Sequence, residues 1–241
     1  MVFLIKFKTG NFFIITKEKY FKIPFTLTSY QNQKIEKNNL GKIKKDLFFK
    51  KFLIEEKFFF FIKISNRYKN INRNDSNFLV NYERLLISKK NKKNKIIKLN
   101  FFKKILIIFK DNKILLKKLH SKFVNLSVKN SSCHGDFYYK NILKHNDNYF
   151  FIDWDRYQNK MPLYHDSINY IVFSKKNYSG SWFLSWKNNY NFLIKNYPKL
   201  YVQTYVLCKI SSDMMFIKLN KKKEKKYLKI FTEYLSFIEK N

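Results

Sequence analysis

The stretch Cys133-His134-Gly135-Asp136-Phe137-Tyr138-Tyr139-Lys140-Asn141 sets an acid and an amide five residues apart behind a His-Gly pair. A second acid, Asp153, follows in Phe150-Phe151-Ile152-Asp153-Trp154-Asp155. Only four glycines occur in the chain, so the use of one here is selective. An Asp and an Asn on one tight loop can supply a carboxylate that orients an attacking hydroxyl and takes its proton, together with one oxygen ligand for Mg²⁺ on a nucleotide's phosphates. A second Asp at the end of an adjacent strand can supply the other ligand. That inventory suits phosphoryl transfer, in which the protein contributes mainly positioning and charge neutralisation.

Such residues need a scaffold, and the hydrophobic periodicity outlines one. Apolar alternation between short polar turns predicts strands over 2–8, 11–16, 19–25, 47–54 and 58–64, with a polar helix over 32–46 between the third and the fourth. From Ser76 the period becomes helical, first over 76–89 and then over 101–125, where Asp111-Asn112 predicts a break. A hairpin with its turn at 145–148 carries the strand that ends at Asp153, and most of the chain after 165 reads as helix. The expected fold class is therefore α+β, with a small β-rich N-terminal lobe over 1–67 and a larger, mostly helical lobe over 68–241.

His134-Gly135-Asp136-Phe137-Tyr138-Tyr139-Lys140-Asn141-Ile142-Leu143, followed by Phe151-Ile152-Asp153-Trp154-Asp155, resembles the aminoglycoside phosphotransferase and choline kinase superfamily, a relative of the protein kinases. The resemblance implies a protein-kinase-like two-lobed fold, ATP or GTP as phosphoryl donor, Mg²⁺, and a small acceptor bearing a hydroxyl. It implies Asp136 as catalytic base, Asn141 and Asp153 as Mg²⁺ ligands, and His134 as a structural support for the loop. Asp166, in Tyr164-His165-Asp166-Ser167, matches an acid that steadies the helical lobe in such proteins. The fold also needs a Lys on its third strand to hold the nucleotide phosphates and a Glu on the next helix to orient that Lys. Lys22 and Glu36 fit, whereas Lys63 and Glu83 leave too little chain before Asp136 for the remaining strands and helices. The turn at Gly10 departs from the several glycines that protein kinases place over the phosphates. Trp182 and Trp186, four apart on one predicted helix face, lie near where such kinases wall the acceptor site.

Composition narrows the partners. The formal charge is +33, yet Arg occurs only at 67, 73, 84 and 156 and Ala is absent, a bias that A+T-rich coding would produce. Bidentate recognition of phosphate or guanine favours Arg, so nucleic acid is disfavoured as a specific partner, and the Lys runs at 89–95 and 221–226 read as exposed loops or a helix face. Contact with a membrane surface through those runs stays compatible with catalysis. Cys133 and Cys208 form neither a CxxC pair nor a disulfide framework, and no apolar run approaches the ~20 residues that span a bilayer, so the expected location is cytoplasmic. Acids after Asp166 are confined to Asp213, Glu224, Glu233 and Glu239, too few to line a pocket for a polycationic aminoglycoside. A neutral or anionic acceptor such as a sugar or glycan precursor suits the basic chain, and choline or ethanolamine held by aromatic faces is the alternative. From a different class, a pseudokinase or a basic polyanion-binding module would use the same scaffold without chemistry.

Overall fold

The computed structural model describes residues 2–8, 10–16, 19–54, 62–65, 68–72, 75–89, 91–174, 180–216 and 221–241. The chain begins with strands β1 (Val2–Lys8), β2 (Asn11–Thr16) and β3 (Lys19–Pro24), then helix α1 (Leu27–Ile43), β4 (Ile62–Ser65) and β5 (Lys69–Asn70). Next come α2 (Ser76–Ile87), β6 (Lys92–Lys95), α3 (Asn100–Ile108), α4 (Lys113–Phe123) and β7 (Ser127–Cys133). The hairpin strands β8 (Ile142–His145) and β9 (Asn148–Phe151) precede β10 (Gln158–Pro162). Helices α5 (His165–Ser174), α6 (Trp182–Asn188), α7 (Tyr190–Asn196), α8 (Lys199–Phe216) and α9 (Lys221–Lys240) complete it. These elements form two compact units, Met1–Asp75 with Asp136–Tyr157, and Ser76–Gly135 with Gln158–Asn241.

The first unit holds an antiparallel sheet in the order β1-β2-β3-β4 and a smaller one in the order β5-β8-β9. Gly10 turns β1 into β2 with φ of 77°, a region that favours glycine. Its carbonyl accepts from the N–H groups of Phe25 (2.8 Å) and Thr26 (3.2 Å) and from Ser29 Oγ (2.6 Å), which ties the turn to the start of α1. Thr26 caps that helix in a reciprocal capping box with Ser29, so the helix starts five residues earlier than its hydrophobic pattern predicts. The core of this unit is aromatic. Phe49 meets Trp154 at 5.3 Å between centroids, and Phe52 stacks on Phe151 at 4.4 Å.

Residues 47–54, expected as a strand, instead form a 3₁₀ turn over Phe49–Phe52 and a single bridge from Leu53 to Phe151. The Asp46 carboxylate accepts from the N–H groups of Phe48 and Phe49, which initiates the turn, and Phe48, Phe49 and Phe52 all point into the core. Most of the strand expected over 58–64 lies outside the described residues; its end is β4, where Lys22 is in register with Ile62.

The second unit is mostly helical and carries the sheet β10-β7-β6. β6 falls inside the Lys run 89–95, and β7 has the polar sequence Ser127-Val128-Lys129-Asn130-Ser131-Ser132-Cys133, so neither shows an apolar alternation that would reveal it. α3 and α4 do separate around Asp111-Asn112. The hydrophobic core gathers Phe101, Phe102, Phe123, Trp186, Tyr205 and Phe231, all buried.

Candidate active site

α1 positions two side chains three residues apart, hence on one face: Glu36 and Asn39. Both are buried. Glu36 Oε1 accepts the N–H of Trp154 at 3.1 Å, and Asn39 Nδ2 donates to the carbonyls of Trp154 (2.9 Å) and Asp155 (3.0 Å). The helix thus grips the backbone of the segment just after Asp153. Asp153 itself sits at φ 59°, ψ 61°, a left-handed conformation unusual for a non-glycine residue and of the kind that clusters at functional sites.

Lys22, on β3, reaches both acids. Its Nζ lies 3.6 Å from Glu36 Oε2 and donates to Asp153 Oδ1 in an ion pair. Burial alone would lower the Lys22 pKa, but the charges of Asp153 and Glu36 outweigh it and hold the ammonium well above its ordinary range. Glu36 goes the other way. Its burial, which the attraction of Lys22 only partly offsets, pushes it up to about 7. The two shifts are compatible because one ammonium serves two carboxylates and hydrogen-bonds to Asp153; for Glu36, desolvation decides the sign.

Asp136 begins the segment that joins this unit, and Asn141 Nδ2 donates to its carbonyl (2.9 Å) and to its Oδ2 (3.4 Å). With the amide nitrogen committed to Asp136, the amide oxygen of Asn141 is left as an acceptor. Asp155 is pushed up to about 7, first by burial and then by the charge of Asp153, with Asp136 adding to it and Arg156 opposing it. Asp155 thus senses the charges of both Asp153 and Asp136, and carboxylates together with an amide oxygen are the hard donor types that Mg²⁺ takes.

In the second unit, Asp166 accepts three hydrogen bonds: from the N–H of His134 (2.7 Å), from the N–H of Gly135 (3.1 Å) and from Tyr82 Oη (3.0 Å). Burial still raises its pKa against those bonds. Gly135 has φ of 84°, so the Gly in His-Gly-Asp serves a left-handed turn immediately before Asp136. The donor atoms of Cys133, His165 and Asp166 lie within 4.8 Å of one another. This cluster is a poor cation site, because the Asp166 oxygens are already engaged and the Lys209 ammonium opposes positive charge at His165. His165 is held neutral, its pKa lowered to about 3 by burial and then by Lys209.

The structure therefore brings Lys22, Glu36 and Asp153 together, joins Asp136 to Asn141, and joins His134 to Asp166 through its backbone. Trp186 is fully buried, with Nε1 donating to the Val202 carbonyl at 3.0 Å, so it is a core residue and cannot wall an acceptor site; Trp182 is half-buried. Sequence reasoning missed Asn39, although its place one turn after Glu36 on the same helix face was a usable signal.

The fold is protein-kinase-like, α+β with a β-rich N-terminal part and a mostly helical remainder. Over nearly their whole lengths, three solved structures, of two proteins, share it. The chain is similar to choline kinase LicA from Streptococcus pneumoniae at 12% identity and a TM-score of 0.55, with 98% of this chain and 94% of that one covered. An AMP complex of LicA aligns at 14% identity and a TM-score of 0.53, over 97% of this chain and 92% of that one. The chain is likewise similar to the ADP-bound aminoglycoside phosphotransferase APH(2'')-Ib at 13% identity and a TM-score of 0.54, over 97% and 92% of the two chains. No protein-family model and no curated protein matches the sequence.

Proposed function

We propose that the chain is an ATP-dependent phosphotransferase that phosphorylates a hydroxyl of a small molecule. The observation that carries this is the Lys22 ammonium held between Glu36 and Asp153 in the unit that also contains Asp136 and Asn141. A surface Lys has no reason to be enclosed with two acids, whereas a phosphate-binding Lys needs an acid to fix its position. In this reading residues 1–67 bind the nucleotide, Lys22 contacts its phosphates, and Glu36 orients Lys22. The Asp136 carboxylate accepts the proton of the acceptor hydroxyl as the new O–P bond forms and the bond from the γ-phosphorus to ADP breaks. Asn141 and Asp153 would hold Mg²⁺, which when bound neutralises charge on the phosphates. His134 and Asp166 support the loop, since Asp166 fixes the two peptide N–H groups that precede Asp136. GTP is the alternative donor.

The acceptor is assigned to the lobe over 68–241. Of the four acids there after Asp166, Asp213 pairs with Lys209, Glu233 with Lys187 and Glu239 with Lys118, and Glu224 stands within the Lys run 221–226. That argues against a polycationic aminoglycoside and for a neutral or anionic acceptor such as a sugar or glycan precursor. The likeness to a choline kinase favours choline or ethanolamine as the second reading. The test is transfer of labelled γ-phosphate from ATP to a panel of sugars, choline and ethanolamine. Transfer abolished in Asp136→Asn supports the proposal, and the labelled acceptor separates the two readings. Nucleotide binding without transfer to any hydroxyl compound would favour the pseudokinase reading.

A further inference from the structure

The outer face of α1 has a composition unlike a merely solvated helix. At 100° per residue, Leu27, Lys34 and Asn38 fall within about 20° of one line along the helix, with Tyr30 and Lys37 on one flank and Ile35 and Lys42 on the other. All seven are exposed, and Lys44 and Lys45 continue the basic run beyond the helix end. The helix's one acid, Glu36, is buried on the opposite side, and Asp46 is spent on the backbone of Phe48 and Phe49 and on Tyr157. The charge on the exposed face is therefore only positive.

Apolar side chains stand in solvent at both ends of it. At the start, Phe7, Phe25 and Leu27 are 57%, 67% and 75% exposed, and Leu47 beyond the far end is 85% exposed. A chain that leaves such residues in water beside lysines has the composition of a surface that enters the headgroup region of a bilayer. Single-stranded RNA would be held differently, by bases stacked on flat ring faces. Here Phe7, Phe12 and Phe25 pack edge-to-face on one another at 4.7–5.9 Å, Leu27, Ile35 and Leu47 cannot stack, and the helix face offers the single exposed ring of Tyr30.

We propose that this face, formed by Phe7, Phe25 and the Leu27–Lys45 stretch, docks the protein on an anionic phospholipid bilayer, with the lysines against the headgroups and Phe25 and Leu27 at the acyl boundary. The proposal does not depend on the phosphotransferase reading. No described helix is long and apolar enough to cross a membrane, and the contact proposed is a peripheral one.

The experiment is sedimentation of the full chain with vesicles of phosphatidylcholine alone or with about one-third phosphatidylserine, at physiological ionic strength. Three variants are compared: Lys34→Glu/Lys37→Glu/Lys42→Glu; Leu27→Ser, with Phe25→Ser/Leu27→Ser beside it because Phe25 packs on Phe12; and Lys225→Glu/Lys226→Glu/Lys229→Glu on α9, which makes the same change in net charge elsewhere. Circular dichroism and thermal unfolding establish that each is folded. Binding only to the anionic vesicles is expected. It should fall about a hundredfold in the α1 lysine variant and about tenfold in the serine variants, and change about threefold or less in the α9 variant. Equal losses from the α1 and α9 lysine variants would overturn the proposal in favour of undirected charge attraction. So would the absence of vesicle binding, or binding of a single-stranded RNA probe in its place.

Discussion

Glu36→Gln should make the protein more stable at alkaline pH while weakening its chemistry. Gln keeps the volume and the oxygen that accepts the Trp154 N–H, and it removes a charge whose side chain is only 3% exposed. The native pKa of Glu36 is raised from 4.5 to about 7, so the folded state holds a proton that the unfolded chain releases, and wild-type stability falls as pH rises through that window. Integrated between pH 5 and pH 8 the group costs about 2 kcal/mol of stability, which Gln does not incur. The assay is urea unfolding followed by circular dichroism in EDTA at the two pH values. The stability of Glu36→Gln relative to wild type should rise by that amount from pH 5 to pH 8. In parallel, phosphoryl transfer should fall, because Lys22 loses the acid that positions it. A variant that is less stable relative to wild type at pH 8 than at pH 5 would refute the reasoning, since it would mean that attraction to Lys22 exceeds the cost of burial.

His165 has the opposite linkage. Its native pKa is depressed from 6.5 to about 3, so its contribution is intact above 6.5 and is lost as pH falls toward 3; His165→Gln should remove about 2 kcal/mol of the stability change between pH 7 and pH 5, read from unfolding at both pH values. Asp166→Ala strands the buried N–H groups of His134 and Gly135 and the Tyr82 hydroxyl, and should cost about 3–5 kcal/mol by the same unfolding measurement, whereas Tyr82→Phe should cost about 1 kcal/mol. Asn39→Leu removes two hydrogen bonds to the backbone after Asp153, the Trp154 carbonyl keeping the Tyr157 N–H while the Asp155 carbonyl loses its Asn39 donor, so it should lower stability by about 1–3 kcal/mol and weaken Mg²⁺-nucleotide binding measured by calorimetry.

Much of this arrangement could be read from residue order because it depends on local signals. The three N-terminal strands alternate, Gly10 marks a turn, and β8 and β9 flank a polar turn, so each announced itself within a few residues. Lys22 and Glu36 could be paired because strand and helix are consecutive in the chain. What failed was decided at long range. The apolar run at 47–54 has the composition of a strand, but its phenylalanines are drawn into an aromatic core completed by Phe151 and Trp154, a hundred residues on. Strands β6 and β7 are polar, and their pairing fixes them where their composition does not. Asn39 stood on the helix face marked by Glu36, but the two carbonyls it holds come from the distant segment after Asp153, which that local pattern does not identify.

The central claim is a Mg²⁺-nucleotide site built on Lys22, Asn141 and Asp153, and its most direct test is thermal stabilisation by ATP and GTP with and without Mg²⁺, in the intact chain and in Asp153→Ala. Stabilisation that requires Mg²⁺ and disappears in the variant is expected. No shift with either nucleotide, or a shift that persists in Asp153→Ala, would contradict it.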